Sequence, residues 1–153
     1  MSREWPSGDH SYRRSEVSAV AGRGDMVWAR AARDVLRWRV KTASGFTVDS
    51  TGPVARGERV IVKAHLFGLS ILEPVEVVAV VEEADRVGFA YRTMPGHPVS
   101  GEEAFILHRQ GEEVRLTIRS LTRAAPQQPW RILYPVLRTT QRFVRWRYLR
   151  ALR

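Results

Sequence analysis

Hydrophobic and polar positions along the chain fall into three successive regimes. Residues 1–20 are polar and turn-rich, with a short strand expected near Ser11–Val17 and a frayed tail over 1–10. From Met26 the apolar residues Val27, Ala31, Val35 and Trp38 recur at helical spacing, and Trp28, Ala32 and Leu36 widen that face. The spacing predicts a helix over about 26–38 with Asp25 as its N-cap.

The period then changes to two. Val40, Thr42, Phe46 and Val48 alternate with polar neighbours, so a strand is expected over Arg39–Val48 with a turn at Ser44-Gly45. Glu58–Phe67 sets Val60, Val62, Ala64 and Leu66 against Arg59, Lys63 and His65. Leu69–Glu83 reads as a long strand with Val75, Val77, Ala79 and Val81 on one face. Arg86–Thr93 follows with Val87, Phe89 and Tyr91 together. Glu102–Arg109 and Glu113–Arg123 form a hairpin across Gln110-Gly111-Glu112, and Val114, Leu116, Ile118 and Ser120 share a side. Such alternation marks half-buried antiparallel strands.

After a break at Ala124–Pro129 the helical period returns. Leu133, Val136, Leu137, Thr140, Phe143, Val144, Tyr148 and Ala151 make a stripe running to the C-terminal end. Pro135 starts or kinks the long part of this helix. The predicted class is α+β: a short helix near 26–38, about six to seven antiparallel strands, and a long C-terminal helix covering the sheet. A single domain over 1–153 is expected.

Composition narrows the function classes. There is no cysteine, which removes disulfides and thiolate metal sites. No apolar run reaches the ~18 residues of a spanning helix, and the first residues lack a signal-peptide pattern. The expectation is a soluble, cytoplasmic protein, monomeric or homodimeric. Four histidines (His10, His65, His97, His108) show no ligand spacing, so neither a metal nor another cofactor is expected.

The formal charge of +9 is uneven. Residues 1–118 balance sixteen acids with sixteen bases, whereas Arg119 onward carries nine arginines and no acid. Arg138, Arg142 and Arg145 on the last helix are candidates for an anionic surface, a peripheral membrane above nucleic acid. A solvated helix face explains the same residues.

The strongest candidate for chemistry is the segment Tyr91–Arg109, where a loop with two prolines and two glycines joins two strands. It holds His97 and the pair Glu102-Glu103, which period two puts on opposite faces.

Several phrases in order carry a resemblance: Gly22-Arg23-Gly24, Gly57-Glu58-Arg59-Val60, Pro95-Gly96-His97-Pro98, Gly101-Glu102-Glu103, and Arg147-Tyr148. The set resembles the bacterial and plant family catalogued as domain of unknown function nineteen-ninety. That resemblance implies a helix-grip fold of the START and polyketide-cyclase type, in which a curved sheet wraps the last helix around a cavity. It implies an apolar or amphipathic small molecule as partner and carries no catalytic residue across. In such a fold Trp28, Trp38, Phe89, Tyr91, Phe105, Phe143 and Tyr148 would line the cavity, with the hydroxyls of Tyr91 and Ser120 on inward faces and His97, Glu102 and Glu103 at its polar end. A region before Gly22 this short puts the family's first strand in question and leaves a sheet edge open. Two other readings stand beside this one: an enzyme of cyclase or hydrolase type using His97 and a glutamate, and an interaction module using the arginine-rich helix.

Overall fold

The computed structural model of the chain describes residues 11–66, 68–124 and 130–153. The expected tail over 1–10, most of the break after Ala124, and the side chains of Leu133 and Leu137 lie outside the described residues. Seven strands form one antiparallel sheet: β1 (Arg13–Arg23), β2 (Thr47–Val48), β3 (Arg59–Leu66), β4 (Leu69–Glu82), β5 (Arg86–Thr93), β6 (Val99–Gln110) and β7 (Glu113–Ala124). Their order is β1-β7-β6-β5-β4-β3-β2, a meander from β2 to β7 with β1 added beside β7. Among the described residues three helices accompany the sheet: α1 (Asp25–Val35), α2 (Arg39–Thr42) and α3 (Trp130–Tyr148).

The first strand is present and long. Arg13 to Arg23 pairs with β7, interrupted by one irregularity between Val20 and Gly22. The edge of β7 is therefore covered, contrary to the open edge expected there. Small inward residues explain why the strand is faint in sequence: Val17 and Ala19 pair with Ile118 and Leu116.

Helix α1 buries Ala31 and Val35, with Val27, Trp28, Ala32 and Leu36 packed against the core. Gly24, not Asp25, occupies the N-cap position, and Asp25 pairs with Arg109 at 2.6 Å. The helix ends at Val35 because the chain reverses through Trp38, whose φ of 61° is left-handed. Arg39–Thr42 then forms a helical turn where a strand is expected. Its alternation is too short to separate the two periods, and the turn buries adjacent residues Val40 and Lys41.

The inward face of the sheet carries Val60, Val62, Val75, Val77, Phe89, Tyr91, Phe105, Leu107, Val114, Leu116 and Ile118, which form one core with α1 and the last residues of the chain. Strand β4 departs from simple alternation. Val77 pairs with Tyr91 but Ala79 pairs with Ala90, so Val78 is an extra residue in the ladder. Beyond it Val80, opposite Phe89, packs against the core, whereas Ala79 and Val81 sit opposite Ala90 and Gly88. The expected common face of Val75, Val77, Ala79 and Val81 thus splits at the bulge.

Helix α3 lies on the sheet through its C-terminal end. Tyr148 and Leu152 are buried in the core, with Val144, Leu149 and Ala151 against them. Val136 and Phe143 of the same stripe are both 59% exposed.

Candidate functional site

Three inward residues stand in a row across neighbouring strands: Tyr91 on β5, Glu103 on β6 and Ser120 on β7. They continue the apolar rows of Phe89, Phe105 and Ile118 but change the chemistry at that end of the sheet. Glu73 joins them from β4, two residues before Val75 and on the same face. The polar ends of this row are not covered by core residues. They face a cavity of about 190 Å³ between the sheet, α2 and α3.

Lys41 is the centre of the polar floor. Only 3% of its side chain is exposed, yet it lines the cavity. Its Nζ donates to Tyr148 Oη at 2.6 Å and stands 3.8 Å from Glu103 Oε2 and 4.0 Å from Glu73 Oε2. The rings of Phe46, Tyr148 and Tyr91 surround it at 4.7, 4.9 and 5.3 Å from their centroids, close enough for cation–π attraction. Tyr91 Oη donates to Glu103 Oε2 at 2.8 Å.

The β5–β6 loop brings in His97. Its tight turn is closed by the His97 amide donating to the Met94 carbonyl, with Gly96 at a φ of 96° that a side chain would disfavour. The Val99 amide donates to His97 Nδ1 at 3.0 Å. Nδ1 is therefore the acceptor, and the neutral ring carries its proton on Nε2, 3.9 Å from Glu73 Oε2.

Burial governs the protonation of these groups. It pushes the Glu73 carboxyl above the usual range, with Glu103 adding to the rise and Lys41 opposing it. Burial, assisted by the Lys41 charge, lowers His97 to about 3. The Tyr91 and Tyr148 hydroxyls are held well above their ordinary value, again by burial first and by Glu103 next. A ring held near 3 is a weak base at neutral pH, so proton transfer in this cavity suits the carboxyl of Glu73 better than His97.

Of the residues singled out from sequence, Tyr91, His97, Glu103, Ser120, Phe143, Arg145 and Tyr148 line the cavity. Trp38, Phe89 and Phe105 do not. They are buried side chains beneath it, joined by ring contacts of 4.8 Å for Trp38–Phe89 and 5.5 Å for Phe89–Phe105. Glu102 points to the other face of the sheet and is exposed, as period two requires. Phe143 lines the mouth while exposed to solvent, where an interior position is expected. Arg138 and Arg142 are exposed on α3, but Arg145 turns inward and donates to Ser120 Oγ at 2.7 Å. It is a half-buried wall of the cavity, unlike the exposed Arg138 and Arg142.

Lys41 and Glu73 are absent from the site read from sequence. Glu73 was legible, because it shares the parity of Val75 and Val77 and so puts a carboxylate on a core face. Lys41 was not, because a strand reading of Arg39–Val48 turns it outward. Among the described residues no group of three or more His, Asp or Glu side chains is placed to hold a metal ion.

The family profile described as Domain of unknown function (DUF1990) matches residues 1–151. The chain belongs to that family. A UPF0548 protein of Deinococcus radiodurans is 45% identical over 60 residues, which is 39% of this chain and 30% of that protein. The DUF1990 chain thus aligns with under a third of that relative's length. Among solved structures, the hypothetical protein jhp0584 of Helicobacter pylori superposes with a TM-score of 0.67 at 14% identity, covering 99% of this chain and 94% of that one. The major latex-like protein 151 of Panax ginseng superposes with a TM-score of 0.52 at 16% identity, covering 88% and 97%. Likeness at these identities establishes the helix-grip fold and nothing finer. Among the described residues no helix is long and apolar enough to cross a membrane.

Proposed function

We propose that this DUF1990 protein binds a compact amphipathic small molecule in the cavity between the sheet and α3. The observation that carries the reading is the division of the cavity wall. Apolar groups come from Ile71, Val99, Phe143 and Val144, and hydrogen-bonding groups converge from Lys41, Glu73, Tyr91, His97 and Glu103. Binding sites for small molecules combine a mostly apolar wall with a few convergent polar groups in this way. The volume of about 190 Å³ lies below the ~300 Å³ lower end of sites for drug-sized ligands, which favours a small ring or short chain over a long lipid. The ligand's polar end meets Lys41 and Glu103, and its apolar body reaches Phe143 at the mouth.

Native mass spectrometry of gently purified protein tests this directly. A reproducible extra mass, released on denaturation and lost after filling the cavity, supports the reading. A bare mass, together with no uptake of small aromatic or short-chain probes at millimolar concentration, overturns it.

A second reading rests on a different observation. Val136, Phe143 and Trp146 expose apolar surface on α3, and Phe143 and Trp146 stack at 6.1 Å. Arg150 lies 3.8 Å over the Trp146 ring, and Arg138 and Arg142 are exposed beside them. Exposed aromatics among arginines, on a helix without acids, suit the surface of an anionic bilayer. Vesicle flotation with and without phosphatidylserine tests it, and absence of binding at low salt removes it.

A further inference from the structure

We propose that Lys41 is an amine nucleophile that captures a small aldehyde or ketone in the cavity as an imine. The inference rests on the ligand-binding reading of the cavity and names the chemical class of the ligand.

The choice of residue is the first observation. Arginine fills 23 of the 25 basic positions of the chain, and lysine only two, Lys41 and Lys63. Lys63 is exposed on β3, whereas Lys41 is buried against the cavity. Arginine can supply a fixed charge at either place. What lysine adds is an amine that can lose its proton and attack carbon.

The surroundings are the second. Condensation of an amine with a carbonyl needs a base for the ammonium proton, an acid for the departing oxygen, and space before the nitrogen. Glu103 Oε2 at 3.8 Å is an acceptor for the proton that Lys41 must shed. Glu73 Oε2 at 4.0 Å belongs to a carboxyl whose pKa burial raises, and it is the donor to oxygen. Tyr148 Oη at 2.6 Å aims the amine.

In the step, the ammonium gives one proton to Glu103. The nitrogen lone pair forms a C–N bond, and the carbonyl π pair moves to oxygen, which takes a proton from Glu73. The nitrogen, now positive and carrying two protons, gives one of them to the ionised Glu73, which frees a lone pair, and loss of the hydroxyl takes a second proton from Glu103. The C–O bond then breaks, water leaves, and the nitrogen lone pair closes the C=N bond. One N–H proton stays on nitrogen, and Glu73 is again protonated and Glu103 again ionised, as at the start. With the iminium retained, the net change is ammonium plus carbonyl to iminium plus water, with no oxidant or reductant. The rings of Phe46, Tyr91 and Tyr148 that hold the ammonium also suit the iminium cation.

The chain carries its own control in Lys63. Full-length protein is incubated with benzaldehyde and sodium cyanoborohydride, and the reduced adducts are mapped by peptide mass spectrometry. Lys41 should be labelled about tenfold faster than Lys63 or more, and the preference should vanish in urea. Equal labelling in the folded protein, or labelling of Lys63 alone, overturns the proposal. Because both lysines are read in one molecule, the outcome does not depend on whether Lys41→Arg folds. Calorimetry with benzyl alcohol, similar in shape but lacking the carbonyl, separates the two levels. Binding of the alcohol with no Lys41 adduct from the aldehyde sinks the imine and leaves the ligand-binding reading standing. Failure of both sinks both.

Discussion

Lys41 Nζ and Tyr148 Oη meet at 2.6 Å, and this one bond ties α2 to the last turn of α3 across the floor of the cavity. The two residues lie 107 positions apart, and both are almost fully buried. The bond therefore does structural and chemical duty at once. Tyr148→Phe keeps the ring contact with Phe105 at 5.4 Å but removes the oxygen. A buried ammonium deprived of its acceptor costs about 1–3 kcal/mol, which a urea midpoint will show. An unchanged midpoint would mean that water or Glu103 replaces the hydroxyl fully.

His97 gives the protein an acid-sensitive site. Its folded pKa of about 3 lies below the ordinary 6.5, so the unfolded chain binds the proton more tightly. The stability this neutral ring contributes is present above pH 6.5 and falls as the pH drops from 6.5 toward 3. The slope approaches about 1.4 kcal/mol per pH unit within that window. Glu73 acts in the opposite sense: its raised pKa favours the fold at low pH and weakens it as the carboxyl ionises. His97→Gln should flatten the fall between pH 6 and about 4 in urea titrations. An identical profile in wild type and variant would contradict the burial of the ring.

Filling the cavity should separate binding from folding. Ser120→Phe places a ring between Glu103 and Arg145 and should reduce ligand binding by about tenfold or more. Ser120→Ala removes the Arg145 bond while leaving the space, and should bind nearly normally. Calorimetry on both variants decides, and equal binding by all three proteins would place the ligand elsewhere.

Gly101 marks where β6 leaves the mouth of the cavity. Its φ of 148° leaves no room for a side chain, because a Cβ there would overlap the backbone carbonyl of Leu121 on β7. Its amide also donates to Thr93 Oγ1 at 2.9 Å. Gly101→Ala should cost about 3 kcal/mol and lower the melting temperature measurably, whereas Gly52→Ala, which meets nothing within 4 Å, should be close to neutral. Comparable effects of the two would refute the close approach.

If α3 meets anionic lipid, Phe143→Ser with Trp146→Ser should abolish vesicle binding, and salt should weaken the wild-type interaction steeply. Retained binding by the double variant would assign the attraction to charge alone.

The sequence made β3 and β7 legible because each carries four residues of strict alternation, as in Val114, Leu116, Ile118 and Ser120. It made β1 faint, since Ser15, Val17 and Ala19 are small and few. It hid α2, because a four-residue turn cannot display a period of 3.6. With α2 went Lys41, the residue on which the cavity chemistry turns. Parity pointed Tyr91 and Ser120 inward and the loop singled out His97, whereas Glu103 stood beside Glu102 without a choice between them; Tyr91, His97, Glu103 and Ser120 line the cavity and Glu102 does not. Trp38, Phe89 and Phe105 were assigned to the cavity for their size, and size alone does not distinguish a lining residue from the packing below it.

The extra residue Val78 has an evolutionary corollary. On either side of it, inward positions have opposite parity: odd-numbered at Glu73, Val75 and Val77, even-numbered at Val80. Deleting that single residue would regularise the ladder and leave Val77, Ala79, Val80 and Val81 facing as they do, whereas drawing Val78 into a regular ladder would set the small Ala79 opposite Phe89 in place of Val80. Among relatives that keep this core, a one-residue deletion in β4 should therefore fall at the bulge, where it leaves both faces unchanged, even where the side chains themselves drift.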